Sequence, residues 1–168
     1  KYGHQVRPIA PSRLQRLRVW AADSAGQAIK GRCNTTLQHL RLGGDVGAQM
    51  RAEQLLAWAK LWREEPSQHT RWARAWRAIR DNIGRRRSSQ RWRRVTGPIG
   101  GAILALWALG YSPKAPDVWR HKASDQEWCI GGEVWDDDAA RARLLCAAEE
   151  PYWKQAALHE AGGGLQDW

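Results

Sequence analysis

The stretch from residue 71 to residue 94, RWARAWRAIRDNIGRRRSSQRWRR, constrains the fold more than any other part of this 168-residue chain. Ten of its 24 residues are arginine, three are tryptophan, and Asp81 is the only acidic residue. Such a dense positive charge repels itself unless it meets an anion, whereas tryptophan needs a core or a stacking partner. The stretch therefore predicts a structure with one packed side and one basic side.

The first half of this stretch has the spacing of an amphipathic helix over about residues 68–83. Four apolar side chains recur at i, i+4, i+7 and i+11 and predict the packed face: Trp72, Trp76, Ile79 and Ile83. Four arginines fall on the opposite side: Arg71, Arg74, Arg77 and Arg80. We expect Trp72 and Trp76 to be core residues, and arginines that are merely solvated remain the alternative interpretation of the basic side. Gly84 ends the helix, and residues 85–89 form a charged linker.

Arginine at this density favours nucleic acid as the partner. Its guanidinium group binds phosphate through two parallel hydrogen bonds and stacks on aromatic rings or bases. Trp92 lies between arginines in a loop-like context, where its indole could stack on a base. The predicted nucleic-acid-binding residues are Arg13, Arg16, Arg71, Arg74, Arg77, Arg80, Arg85, Arg86, Arg87, Arg91, Trp92, Arg93 and Arg94.

The charge is unevenly distributed along the chain, which has a net charge of +10. Residues 1–96 hold 21 Lys/Arg against 6 Asp/Glu, whereas residues 97–168 hold 6 against 11. The asymmetry predicts two regions, a basic helical one over 1–96 and an acidic one over 97–168. A genome rich in G and C, which favours Arg, Ala, Gly and Trp, is an alternative explanation for the arginine excess.

Outside the basic stretch the pattern predicts a mainly α-helical fold, bundle-like in its N-terminal part. Apolar spacing predicts helices over about residues 12–30, 46–64 and 98–109, with a short helix after Thr35. Ser12 with Gln15, Asp45 and Ser67 are the predicted helix caps. Pro98 is expected in the first turn of the third helix, which should be buried.

The C-terminal region adds a small β-hairpin to the predicted helices. Residues 111–116 contain two prolines and predict a rigid linker. Residues 118–121 and 127–130 predict two short strands, with Trp119 and Trp128 as cross-strand partners. A final helix is predicted over about residues 136–161, and its acidic start suits the N-terminal end of the helix dipole.

Cysteine content and hydropathy give expectations about the compartment. The three cysteines are an odd number and widely spaced, so we expect no disulfide framework and a reducing compartment. The chain begins at Lys1 without methionine or signal peptide and is interpreted as a fragment of a longer polypeptide. The longest apolar run, residues 97–111, is shorter than the ~20 residues of a membrane-spanning helix. No membrane partner is therefore predicted.

No complete active site is predicted from the motifs. The run Asp136–Asp138 could bind a divalent metal, but three neighbours at a helix start favour helix capping instead. Histidine and cysteine occur without zinc-ligand spacing, and no nucleophile motif is present. The glycines of residues 97–101 lack the Lys-Ser/Thr of a phosphate-binding loop. The sequence therefore predicts no catalytic residue, no metal site and no cofactor.

Four motifs follow one another over about residues 1–65. They are Tyr2-Gly3, the helix pattern SRLQRL of residues 12–17, NTTLQHLRLG of residues 34–43, and a helix with Met50, Arg51, Leu55 and Leu56. Their order resembles the segment that follows the polymerase core of a non-LTR retrotransposon reverse transcriptase. In that family "YG" closes the last conserved block, and patterns similar to "ssrleklr" and "stp..aLr.eLG" come next.

The resemblance implies that residues 1–96 are a thumb-like region and that the catalytic aspartates lie upstream of this chain. Thumb helices of the family pack along the template–primer duplex with basic residues on its backbone, a role that Arg13, Arg16 and Arg18 match by motif position. The resemblance thus implies a non-catalytic segment of an RNA-directed DNA polymerase, intracellular and nuclear. Its partners would be RNA and DNA, bound independently of sequence, and the upstream polymerase domain.

Two other interpretations stay open at the level of sequence. The chain could be a helical protein-interaction domain in which the tryptophans and the acidic region form a partner surface. It could also be a decayed or wrongly predicted reading frame, which would unfold without cooperativity. The zinc-knuckle and nuclease motifs that follow the thumb in some members of the family are not found in residues 97–168.

Overall fold

The computed structural model describes residues 10–29, 45–87, 90–91, 93–132 and 135–149. The predictions for Tyr2-Gly3, for the helix after Thr35, for Trp92 and for the end of the final helix lie outside the described residues. No helix in the described part is long and apolar enough to cross a bilayer.

The described residues are mainly α-helical, with one small antiparallel sheet, which confirms the predicted fold class. The helices are α1 (Pro11–Ile29), α2 (Val46–Glu64), α3 (His69–Gly84), α4 (Gly97–Ala108) and α5 (residues 137–149). The strands are β1 (Tyr111–Pro113), β2 (Val118–His121) and β3 (Glu127–Cys129), and a 3-10 helix (Pro66–Gln68) joins α2 to α3.

The helix starts confirm one predicted cap and correct two. The carboxylate of Asp45 accepts a hydrogen bond from the backbone N–H of Ala48, 3.1 Å away, as a capping residue should. The prediction for Ser12 is wrong because α1 begins at Pro11, which leaves Ser12 inside its first turn. The prediction for Ser67 is wrong because Ser67 lies within the 3-10 helix, and α3 begins two residues later without a side-chain cap.

Helix α4 lies at the centre of the core and packs against α2, α3 and β1. Ile103 and Leu106 are fully buried, and Pro98 occupies the first turn as predicted. Gly100 permits the close approach of the preceding segment, since a Cβ there would lie 2.4 Å from Cγ1 of Val95. The apolar run that is too short for a membrane helix thus forms the middle of the protein.

The sheet has the strand order β1-β2-β3, and both pairs are antiparallel. Trp119 lies opposite Trp128, as predicted, and their rings meet edge to face with centroids 5.5 Å apart. The predicted linker over residues 111–116 is partly wrong, because Tyr111–Pro113 forms β1. Tyr111 is buried, and Pro113, which has no N–H to donate, is tolerated because β1 is an edge strand.

Indole hydrogen bonds connect the helices to the sheet. Trp58 of α2 donates from Nε1 to the carbonyl oxygen of Pro116 at 2.8 Å, and Trp76 of α3 donates to that of Pro113 at 3.3 Å. Buried residues before and after position 96 belong to one hydrophobic cluster. The basic and acidic regions therefore share a core, and their division at residue 96 stays a prediction from charge.

Candidate nucleic-acid interface

Helix α3 has the two faces that its sequence predicts. Trp76 and Ile83 are buried, with Trp76 only 1% exposed. Trp72 is partly buried and packs against Trp58 of α2, with ring centroids 5.7 Å apart. Trp72 and Trp76 are therefore packing residues, which fixes the rotation of α3 about its axis and turns its other side to solvent.

Three side chains on that other side are exposed and form what we call the arginine face: Arg71, Arg74 and Arg77. Within the described part of the chain, none of the three forms an ion pair or a side-chain hydrogen bond. Asp81, four residues after Arg77, is the one acidic residue of α3, and Arg80 binds it instead. The arginine face thus presents three uncompensated positive charges on one rigid helix.

Arg80 has a different role from the other arginines of α3. It is partly buried, and its Nε and Nη2 atoms donate to Oδ1 of Asp81 at 3.1 and 2.9 Å. Its Nη1 atom donates to the backbone carbonyl oxygen of Lys114 at 2.9 Å. Arg80 therefore ties α3 to the residue that follows β1, and it bounds the arginine face on the side of the sheet.

The segment after α3 contains arginines of two kinds. Arg86 holds the segment in place, since Nη2 donates to Oδ1 of Asn82 at 2.9 Å and Nη1 donates to the backbone carbonyl oxygen of Arg93. Arg91 is half-buried, with its guanidinium carbon 5.0 Å from the ring centroid of Trp107. Its Nε atom is buried without a hydrogen-bond partner among the described residues. Arg86 and Arg91 thus contribute mainly to packing.

The other arginines of this segment have exposed side chains, and we call them the loop arginines: Arg85, Arg87, Arg93 and Arg94. None of them forms an ion pair with another described residue. Arg94 adopts a left-handed backbone conformation, with φ of 56°. The loop arginines extend the uncompensated charge of the arginine face beyond the end of α3.

Arg13 and Arg16 lie on the exposed side of α1, which packs against α2. No described hydrogen bond, ion pair or ring contact joins them to the arginine face. Their neighbour Arg18 is used structurally, because Nε and Nη2 donate to the two carboxylate oxygens of Asp45 at 2.7 and 2.6 Å. The structure therefore brings the arginines of α3 and the following segment together, but it does not join those of α1 to them.

The ion pair between α1 and α2 changes the pKa of its carboxyl group. Burial raises the pKa of Asp45, but the hydrogen bond and charge of Arg18 and the backbone N–H of Ala48 outweigh it. The net result is a pKa below the ordinary value. Burial and the positive charge of Arg18 lower the pKa of the neighbouring Arg51.

A cleft of about 500 Å³ lies beside the C-terminal end of α3. Arg80, Asp81 and Arg85 line it, together with Trp107 of α4, Pro113 of β1 and Lys114, which follows β1. The sequence predicts Arg80 and Arg85 but misses Trp107 and Lys114. No sequence signal identifies those two, because the return of the chain from α4 into β1 places them there.

The acidic run at the start of α5 caps the helix, as its sequence favours. Asp136 accepts a hydrogen bond from the backbone N–H of Asp138 at 2.9 Å, and Asp138 pairs with Arg141 at 3.0 Å. Asp137 accepts from the indole of Trp135. In the described part of the chain, no three His, Cys, Asp or Glu side chains are grouped so as to hold a metal ion.

No protein-family model, curated protein or solved structure matches this chain. The resemblance to reverse transcriptases therefore stays a prediction from the order of its motifs.

Proposed function

We propose that this segment binds the phosphate backbone of nucleic acid through the arginine face and the loop arginines, without reading the base sequence. The observation that carries the proposal is the series of exposed arginines without ion pairs along α3 and in the segment after it. Each guanidinium that contacts a phosphate releases condensed counterions, which gives affinity without base recognition.

The geometry of α3 supports a polyanion rather than a single anion. Arg71, Arg74 and Arg77 follow one another at intervals of about 4.5 Å along the helix axis, since each residue advances about 1.5 Å. The three cations form a row that winds about 120° around the helix, and charge spread in this way suits the repeated phosphates of a nucleic-acid strand better than one small anion. The packed tryptophans on the opposite side keep α3 from rotating, so the row is presented in a fixed orientation.

The finer proposal is that the segment is the thumb and connection of an RNA-directed DNA polymerase from a mobile element. The order of the motifs in residues 1–65 supports it, together with a basic helix placed after them. In that role the arginines would hold the template–primer duplex as it leaves an upstream polymerase domain in the nucleus. The chemistry of bond formation would belong to that upstream domain.

The test is a salt titration of the full chain against a fluorescently labelled RNA–DNA hybrid, read by anisotropy. We expect the logarithm of the affinity to fall linearly with the logarithm of the salt concentration. The triple variant Arg71→Gln, Arg74→Gln and Arg77→Gln should lose at least about tenfold in affinity at low salt. Its slope should become shallower by about 2 to 3 units, since each lost contact contributes about 0.9.

The matched control removes three exposed charges elsewhere, through Lys60→Gln, Arg63→Gln and Lys122→Gln. These substitutions should leave the slope close to that of the unchanged protein. An affinity independent of salt, or no binding at low salt, would contradict the proposal. An equal loss in both triple variants would show that total charge, and not this surface, determines binding.

A second candidate function, binding of a protein partner, is favoured by one observation on α1. Val19 and Trp20 are 50% and 69% exposed, and they are the two large apolar side chains that the described residues leave exposed. If neither the unchanged protein nor Trp20→Ser binds nucleic acid, the first candidate function is excluded. If self-association or partner binding persists in Trp20→Ser, the surface at Trp20 is excluded as its cause. Loss of association in Trp20→Ser alone would favour the second.

A further inference from the structure

We propose that the cleft beside Trp107 binds one unpaired nucleotide of the nucleic acid held by the arginine face, with its phosphate on Arg85 and its base against Trp107. The inference rests on the proposed function and adds a preference for duplexes that carry a single-stranded extension. It gives the protein a way to distinguish the end of a duplex from its middle.

The size of the cleft fits this ligand. The cleft is wide and open to solvent, with a volume of about 500 Å³, so a base and its phosphate can enter it from the surface. A single phosphate would leave most of it empty, whereas a base and its phosphate occupy such a space. Trp107 and Pro113 supply an apolar wall, and arginine and lysine side chains supply the polar wall.

Trp107 can contribute a stacking surface in the cleft. Its side chain is only partly buried, and Trp107 is one of the residues that line the cleft. Arg91, which does not line the cleft, lies over the same ring at 5.0 Å and steadies it. Stacking between a base and an aromatic ring tolerates any base, so it agrees with binding that is independent of sequence.

The charges around the cleft leave one cation uncompensated. Arg80 is paired with Asp81 at 2.9 Å, and Nζ of Lys114 lies 2.6 Å from Oε1 of Glu127. Arg85 has no ion pair among the described residues. One free positive charge matches the single negative charge of a phosphodiester, which favours a nucleotide within a strand.

Arg80 can still assist a phosphate in the cleft. Its guanidinium has five N–H groups, and three of its hydrogen bonds are made within the protein, so two N–H groups remain. Arg80 lies about 4.5 Å beyond Arg77 along the helix axis. A strand that follows the arginine face therefore reaches the cleft, and an unpaired base enters it at the lowest cost because it has no base pair to break.

The experiment compares a blunt RNA–DNA hybrid with the same hybrid extended by a few unpaired nucleotides, by anisotropy and with the full chain. The measured quantity is the ratio of the two affinities. We expect a ratio of about 10, because stacking and one phosphate contact are gained. The ratio should fall in Arg85→Gln and in Trp107→Leu, each of which removes one of the two contributions, and it should reach about 1 in the double variant. The control Arg87→Gln, a loop arginine outside the cleft, should lower both affinities alike and keep the ratio.

If the unchanged protein binds the blunt and the extended hybrid equally well, and binding depends on salt, the proposal for the cleft is wrong and the proposed function stands. Absence of binding to either hybrid would instead overturn the proposed function, and the cleft proposal with it. If the affinity ratio stays near 10 in both cleft variants, the unpaired extension binds elsewhere on the protein, and its assignment to the cleft is wrong. Thermal unfolding shows whether Trp107→Leu still folds. If Trp107→Leu is unfolded, Arg85→Gln provides the test, because the side chain of Arg85 is exposed.

Discussion

The arginine face and the sheet carry the same kind of cation but use it in opposite ways. On the sheet, Arg120 of β2 binds both carboxylate oxygens of Asp125 in the turn, and Lys114 pairs with Glu127 of β3. On α3, Arg71, Arg74 and Arg77 have no described acidic partner. Charge near the sheet is therefore neutralised locally, whereas the charge of the arginine face has no such partner among the described residues.

The pKa values of the acidic residues near the hairpin reflect their pairing with cations. The hydrogen bond and positive charge of Arg120 lower the pKa of Asp125, and those of Lys114 lower the pKa of Glu127. Exposed pairs of this kind stabilise a fold only slightly, so their main effect is to cancel charge near the hairpin. The difference teaches that arginine content alone does not identify an interface, because the paired arginines must first be set aside.

The largest expected effect separates the two faces of α3. Trp76→Ala should lower the free energy of unfolding by about 3–5 kcal/mol, because it leaves a cavity and removes the hydrogen bond to Pro113. The neighbouring change Arg77→Ala should alter it by no more than about 0.5 kcal/mol. Urea denaturation followed by circular dichroism measures both values. Similar losses in the two variants would show that α3 does not have one packed face and one solvent face.

A smaller effect on stability is expected from the ion pair between Arg18 and Asp45, which is lost when Asp45 is protonated at low pH. The pKa of Asp45 is lowered in the folded protein, so its contribution to stability is complete above the unfolded value of 3.8. That contribution is lost as the pH falls from there through the folded pKa. Asp45→Ala should cost about 0.5–2 kcal/mol at neutral pH through loss of the cap and the ion pair.

Urea denaturation at a series of pH values measures this difference. The gap between the two proteins should narrow below pH 3.8, where the carboxyl group of Asp45 becomes protonated. Asp45→Asn is the control, because it keeps a capping side chain but removes the charge. A gap that stays constant to the lowest pH would contradict the role of the ion pair.

The smallest expected effect comes from giving the arginine face the acidic partner that it lacks. Thr70→Glu places a carboxylate four residues before Arg74, in the first turn of α3, where the helix dipole also favours it. Stability should rise by about 0.2–0.5 kcal/mol, while affinity for nucleic acid falls about threefold. Thr70→Gln should change neither. Unchanged affinity in Thr70→Glu would show that Arg74 lies outside the interface.

Sequence predicts those parts of the fold that depend on neighbours along the chain. The two faces of α3 follow from its helical spacing, the start of α2 follows from Asp45, and the pairing of Trp119 with Trp128 follows from a short turn. Each of these involves residues within about three turns of helix or one hairpin. Local spacing is enough to fix them because the alternatives would expose tryptophan or bury arginine.

Sequence does not predict contacts that depend on the return of distant segments. Strand β1 forms because the chain turns back after α4 at Gly110, whose φ of 82° suits glycine, and residues 111–113 then pair with β2. Arg80 contacts Lys114, 34 residues later, and the cleft arises from that contact. Half of the candidate site, the arginines, could therefore be predicted, whereas the aromatic and lysine wall of the cleft could not.

Helix α3 binds two consecutive backbone carbonyl groups where β1 ends. Trp76 binds the carbonyl oxygen of Pro113, and Arg80, one turn further on, binds that of Lys114. A slide of α3 by one residue would need a rotation of about 100° and would break both bonds. The position of α3 along its own axis is therefore fixed relative to β1. Along its axis Arg77 and Arg85 are separated by about 12 Å, which in the proposed interface is the distance between the arginine face and the cleft.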